Sequence, residues 1–176
     1  MIDDSYYLDG GFHDYIPANS LLEKGYDKVY VIDLQAIGLR RPYNDRKKIV
    51  VIKPSRKLGS ILDFKKNDIR NNIKMGYYDT LRVLKEFDGK KYIFKKRGLW
   101  YYEYLLKSVN TKDKEEMMKF FGTKNTKRLV IKALEFVMKK ENFTYFNIYK
   151  AKDVIKRIRY VDKNYGVYKF VKNMNV

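Results

Sequence analysis

Cysteine is absent from the 176 residues, and histidine occurs once, at His13. The first absence removes disulfides, thiol nucleophiles and cysteine-ligated metal sites, and it fits a reducing compartment. The second leaves no histidine cluster, so no metal centre is expected. Long apolar runs are also missing. The most compact one, Ile49-Val50-Val51-Ile52, is far too short to span a bilayer. The N-terminal Met1-Ile2-Asp3-Asp4 is acidic where an export signal is basic, and no apolar stretch follows it. These absences predict a cytoplasmic protein, peripheral to a membrane at most. Gly59 and Ser60 do not open a G-x-x-x-x-G-K-S/T phosphate loop, and no cofactor is expected.

What remains is aromatic and basic. Hydrophobic residues make up 45% of the chain, with 17 tyrosines and 10 phenylalanines, enough for one domain with a core or a small domain and an appendage. Net charge is +18 and is unevenly spread. Residues 1–88 carry 16 Lys and Arg against 13 Asp and Glu, a net +3; residues 89–176 carry 23 against 8, a net +15. A field of that sign draws anionic lipid or nucleic acid toward the second half. The other reading is a general bias toward Lys, Asn, Ile and Tyr. Both stay open on the sequence.

Along the chain, Tyr6-Tyr7-Leu8 is a short strand candidate ended by Asp9-Gly10-Gly11. A helix is predicted from near Pro17 to Gly25, with Ala18, Leu21 and Leu22 inward. Val29 to Leu34 and Lys48 to Ile52 read as strands whose consecutive apolar residues predict burial on both faces. Ile69, Ile73, Tyr77, Leu81 and Leu84 fall at helical spacing and predict one inward stripe, ended by Asp88-Gly89. This is an α/β pattern. Beyond it, Tyr92-Ile93-Phe94 reads as a strand, and helices are predicted over Leu99–Val109, Lys112–Phe121, Lys124–Lys140 and Ala151–Tyr160. The shift in charge and pattern puts a domain boundary near 88–98.

Leu8-Asp9-Gly10-Gly11 sets a carboxylate at the end of a strand candidate, with two glycines that leave room for an approaching group. Alone it is an ordinary turn. Its sequel is more informative: Ile16-Pro17, Leu21, Gly25-Tyr26 and Val29-Tyr30-Val31-Ile32. Then come Pro54-Ser55, Leu58-Gly59, Ile61-Leu62-Asp63-Phe64 and Gly76-Tyr77-Tyr78-Asp79-Thr80-Leu81. This succession, over about residues 5–88, resembles the C-terminal catalytic block of patatin-like phospholipases.

The resemblance implies a partial three-layer α/β/α sandwich in residues 1–88, followed by a basic, mainly α-helical extension in residues 89–176. It implies a lipid acyl hydrolase in which a serine of a G-x-S-x-G elbow attacks an ester carbonyl. The aspartate of an Asp-Gly-Gly/Ala motif is its general base. Asp9 matches that catalytic aspartate, and Gly10 and Gly11 support it. An ordinary carboxyl, with a pKa of about 3.9, needs desolvation and close approach to the serine to serve as that base.

Two departures stand out. Tyr15 replaces the usual asparagine, and none of Ser5, Ser20, Ser55, Ser60 and Ser108 lies in a G-x-S-x-G. The glycine-rich oxyanion loop is missing too. The resemblance therefore implies that the chain alone is inactive, being a truncated product, a fragment, or one half of a split enzyme whose N-terminal half is its partner, and that the substrate is a lipid or other carboxylic ester. The alternative is a non-enzymatic basic module on an anionic membrane or nucleic acid, although no specific nucleic-acid motif is present. His13 reads as a surface-loop residue. The cluster at Trp100–Tyr104 reads as core of the extension.

Overall fold

In a computed structural model the described residues are 6–60 and 64–176. Ser5 and the motif positions Ile61, Leu62 and Asp63 lie outside them. The fold is mixed α/β with small sheets. It divides into two compact units between Val83 and Leu84.

In the first unit, Pro17 precedes helix α1 (Ala18–Glu23), and Gly25, at φ +87°, turns the chain toward strand β1 (Val29–Ile32). Only glycine adopts that φ without strain. Strand β2 (Ile49–Ile52) pairs with β1 in parallel, Val29 opposite Ile49 and Ile32 opposite Ile52. Alternation puts Val29, Val31 and Ile49 on one face, where they form a core with Ile16 and Ala18, against which Leu22 packs. Helix α2 (Lys66–Val83) packs on β2.

Three expectations fail here, for related reasons. Tyr6–Leu8 is not a strand: no neighbouring strand takes up its backbone groups, and all three side chains are exposed. β1 is buried on one face only. Tyr30 and Ile32 point outward, Ile32 with 69% of its surface free, because the described sheet has two strands. The stripe on α2 is also turned outward, with Ile73 68% exposed. At 100° per residue, Asn72, Met75 and Asp79 lie on the opposite face of that helix. There the Asn72 amide donates to the Leu58 carbonyl, Asp79 accepts the Ser55 N–H, and Met75 is buried.

The second unit joins a three-stranded sheet to a set of helices. Strands β3 (Phe87–Asp88), β4 (Ile93–Lys95) and β5 (Ile148–Tyr149) lie in that order, β3 antiparallel and β5 parallel to β4. Helices α3 (Leu99–Leu105), α4 (Thr111–Phe121), α5 (Thr126–Lys140), α6 (Ala151–Arg159) and α7 (Gly166–Lys172) follow. Asn110 and Asn125 cap α4 and α5 by accepting the N–H groups of Asp113 and Arg128. α5 is central and packs on the other four helices; its Leu129, Val130, Leu134, Val137 and Met138 are fully buried. α3 stops four residues short of the expected Val109, and β3, β5 and α7 were not expected. Residues 84–88, read from sequence as part of the first domain, belong here because β3 pairs with β4. The aromatic cluster divides: Tyr101 and Tyr102 are core, Trp100 and Tyr104 are not.

Two buried carboxylates fasten the β3–β4 turn to the helices. Glu135, in the middle of α5, accepts the N–H groups of Lys90, Lys91 and Tyr92 through one oxygen, at 2.6, 2.7 and 3.2 Å. Successive amides converging on one point make an anion nest, here filled by the protein's own carboxylate. Gly89 at φ +98° makes the turn, and a Cβ there would stand 2.2 Å from the Tyr92 carbonyl oxygen. Asp88 accepts the Tyr102 hydroxyl and the Arg97 N–H and pairs with Lys127. Burial, and then the Asp88 carboxylate, push the Tyr102 phenol well above its ordinary pKa.

Glu135→Ala strands buried amide donors, so it should destabilise this unit by about 2–4 kcal/mol. Urea unfolding followed by the emission of Trp100, the only tryptophan, reads this unit alone. A loss below about 0.5 kcal/mol, the scale of an inconsequential surface change, would show that the nest is not the fastening.

Candidate functional site

Asp9 sits at the start of a single 3-10 turn, Gly10–Phe12, and not at the end of a strand. Its Oδ1 accepts the Gly11 N–H at 2.7 Å, an Asx turn. The Phe12 and His13 N–H groups bond back to the carbonyls of Asp9 and Gly10, both at 3.0 Å. A Cβ at Gly11 would stand 3.0 Å from that same Oδ1, so the motif's second glycine leaves room for the carboxylate. Gly10 meets nothing within 4 Å and faces open space. The Asp9 side chain is exposed, and Oδ2 accepts no hydrogen bond among the described residues. The desolvation that a general base requires does not come from these residues.

A second loop holds this turn in place. The Gly11 carbonyl accepts the Leu39 N–H at 2.9 Å, and the Leu39 carbonyl accepts the Tyr15 N–H at 3.0 Å. The two loops touch at Gly38, where a Cβ would stand 3.0 Å from the Gly11 oxygen and 3.2 Å from the Tyr15 Cβ. Tyr15, where the resemblance would put an asparagine, is thus part of this packing. Asp14 accepts the Ile16 N–H at 3.1 Å. His13 is exposed, as expected, and receives an Arg41 N–H on Nδ1 at 3.1 Å. Arginine cannot accept, so Nδ1 is the bare nitrogen of that ring. His13 makes no hydrogen bond with Asp9.

The loop returns to the carboxyl ends of the parallel strands. Asp33 follows β1 directly, and its side chain is 1% exposed. Its Oδ2 lies 3.2 Å from Arg40 and 3.1 Å from Lys53, which follows β2. Burial alone would raise the Asp33 pKa. The Gln35 N–H, Lys53 and Arg40 outweigh it and hold the carboxyl below its ordinary value. Arg40 also donates to the Tyr43 hydroxyl. The chain of contacts runs from Asp9 through Gly11 and Leu39 to Arg40 and Asp33. It brings the turn to the edge of the sheet where open α/β folds keep their chemistry.

Gly38, Leu39 and the Asp33–Arg40–Lys53 cluster were not singled out from sequence. The signal was an acid directly after an apolar run, with basic residues at 40 and 53. Among the described residues the arrangement offers a carboxylate and no nucleophile. Among the described residues no serine bonds to Asp9, and Ser108 is committed to the Asn173 carbonyl. No three acidic, histidine or cysteine side chains among the described residues come together to hold a metal. No described helix is long and apolar enough to cross a membrane. Comparisons with protein-family models, curated proteins and solved structures find no match to this chain.

Asp33→Asn should loosen the β1–β2 edge by about 1.5–3 kcal/mol near neutral pH, the usual worth of a hydrogen bond to a charged group. Because the folded pKa is depressed, this stabilisation is present above the unfolded value of about 3.9 and is lost as pH falls through the folded one. Amide exchange of β1 and β2 in both proteins measures it. The gap between them should close in acid, and a gap independent of pH would exclude the ionised carboxylate as its source.

Proposed function

We propose that the first unit is the aspartate-bearing part of a patatin-like lipid acyl hydrolase, completing a three-layer sandwich with an N-terminal half that supplies the serine and the oxyanion donors. The observation that carries this reading is the Asp9 turn. One carboxylate oxygen is tied to the Gly11 N–H and the other is free, on a loop pinned beside the carboxyl ends of two parallel strands. A base that must take a proton from a partner's hydroxyl needs that division of labour: one oxygen to fix the side chain, one to react.

The uncovered apolar surface supports the same reading. Tyr6, Tyr7, Leu8 and Phe12 flank the turn, Tyr30 and Ile32 face outward from β1, and Ile69, Ile73 and Tyr77 face outward from α2. Exposed apolar side chains in such number are candidates for packing against another body. Closure of that body over Asp9 would also remove water from its carboxylate, which the described residues leave exposed.

In the proposed reaction the serine oxygen attacks the ester carbonyl while its proton passes to Asp9. The proton then leaves with the alcohol product, and water repeats the sequence on the acyl-serine. The substrate class is a carboxylic ester of a lipid. By the same reading the protein works in the cytoplasm, against a lipid surface toward which residues 89–176 are drawn by charge.

The 176-residue chain by itself should neither hydrolyse p-nitrophenyl esters nor take up a fluorophosphonate label. Stoichiometric labelling of any of its serines would remove the need for a second half.

Joined to the N-terminal half of a patatin-like hydrolase, the chain should gain esterase activity. Asp9→Asn should then lower the rate by about 10²–10⁴ with the fold intact. His13→Ala and Asp14→Asn should cost far less, and Tyr15→Asn should be neutral or favourable. Near-full turnover by Asp9→Asn together with inactivation by His13→Ala would replace the proposed base with the histidine.

A further inference from the structure

The segment Arg97-Gly98-Leu99-Trp100-Tyr101 meets the start of α6, and a pocket of about 530 Å3 lies between them. Arg97, Lys150, Lys152 and Lys156 line it, with Asp153 as the acidic lining residue. None of the four cations pairs with a carboxylate among the described residues. Two of them lie against rings instead: Arg97 is 5.6 Å from the centre of Tyr101 and Lys152 is 4.8 Å from that of Tyr104. A ring face holds a cation in position without neutralising it, so the pocket keeps its charge. Burial raises the Tyr101 pKa above its ordinary value, so this lining phenol stays neutral and does not repel an anion.

The rim is apolar. Trp100 is 70% exposed and Leu99 beside it is half exposed. The indole is held edge-on to Tyr101 at 6.0 Å and folds over Gly98, where a Cβ would stand 2.9 Å from the indole ring. The glycine therefore makes space for a side chain that the core does not use. An exposed indole and leucine beside unpaired cations is the combination by which proteins rest on anionic bilayers: the aromatic enters the interface and the cations meet headgroups. A single-stranded nucleic acid calls for successive exposed rings along a groove. Here Tyr101 is buried and Tyr104 carries Lys152 over its ring, so Trp100 is the exposed ring left beside the pocket.

We propose that this pocket seats the phosphate headgroup of an anionic membrane lipid, with Trp100 and Leu99 entering the interface beside it. The proposal does not rest on the acyl-hydrolase reading, and no readout of its test involves ester cleavage.

Trp100 is the only tryptophan, so its emission reports on this pocket without labelling. The full chain is mixed with phosphatidylcholine vesicles, with and without phosphatidylserine. The expected result is a blue shift and protection from acrylamide with anionic vesicles in low salt, lost as salt shortens the Debye length, and neither with neutral vesicles. Lys150→Glu, Lys152→Glu and Lys156→Glu together should weaken vesicle binding at least about tenfold. The same reversal at Lys112, Lys114 and Lys119 on α4 should change it by less than about threefold. Trp100→Ala, read by vesicle sedimentation, should also weaken binding. Equal losses in the two triple variants would reduce the site to net charge and overturn the proposal. So would vesicle binding with unchanged Trp100 emission. A shift produced by soluble glycerol phosphate or by a single-stranded oligonucleotide, and not by vesicles, would overturn it as well.

Discussion

The second unit depends on one carboxylate. Glu135 projects from the middle of α5 and gathers the amides of Lys90, Lys91 and Tyr92 onto a single oxygen. Fixing that turn fixes the register in which Phe87 lies opposite Lys95 and Asp88 opposite Phe94. Asp88 is then held where it receives the Arg97 N–H and the Tyr102 hydroxyl, and the chain leaves the sheet in the direction of α3. The Arg97–Trp100 segment, and with it the proposed lipid pocket, takes its place from a charge that never reaches the surface. A buried carboxylate is costly unless hydrogen bonds compensate it, as the three amides do here, and α5, which packs on the other four helices, holds it still.

The first unit has no such clasp. Its covered core is small: Ile16, Ala18, Val29, Val31 and Ile49, with Tyr15, Leu22, Tyr43 and Val51 packed against it. Much of its apolar surface faces out. A parallel pair of strands is the least self-sufficient kind of sheet, because both faces ask for cover. Here α1 packs against β1 and α2 against β2. The outward residues of β1 and α2 are uncovered in the described residues, and so is the Asp9 turn.

Legibility followed the physics closely. Where a single face decides an element, periodicity located it: α2, α4, α5 and α6 begin or end within a few residues of the expected positions. Periodicity could not say which way a face points. The Ile69–Ile73–Tyr77 stripe marked a helix correctly and its burial wrongly, because the Asn72 and Asp79 hydrogen bonds commit the other side. Strands β3 and β5, of two residues each, carry no period at all and exist through pairing with β4. At the candidate site, Asp9-Gly10-Gly11 was legible as a turn, but not that Gly11 makes room for the Asp9 carboxylate itself. Nor was the support from Gly38 and Leu39 legible, since it consists of backbone contacts between segments far apart in sequence.

The unequal charge of the two halves acquires a structural meaning once pairing is considered. In the first unit several cations are answered by carboxylates: Arg40 and Lys53 by Asp33, Arg82 by Asp79, Lys48 by Asp27. In the second, Arg97 and Lys150, Lys152 and Lys156 are drawn from segments some fifty residues apart and converge on one pocket, whose acidic lining residue, Asp153, forms no ion pair with them among the described residues. A compositional bias toward lysine would raise the number of cations throughout. It would not collect them around an exposed indole, over aromatic faces that hold their positions and leave their charge intact. Convergence without neutralisation is costly through mutual repulsion, and a folded chain recovers that cost when an anion is bound.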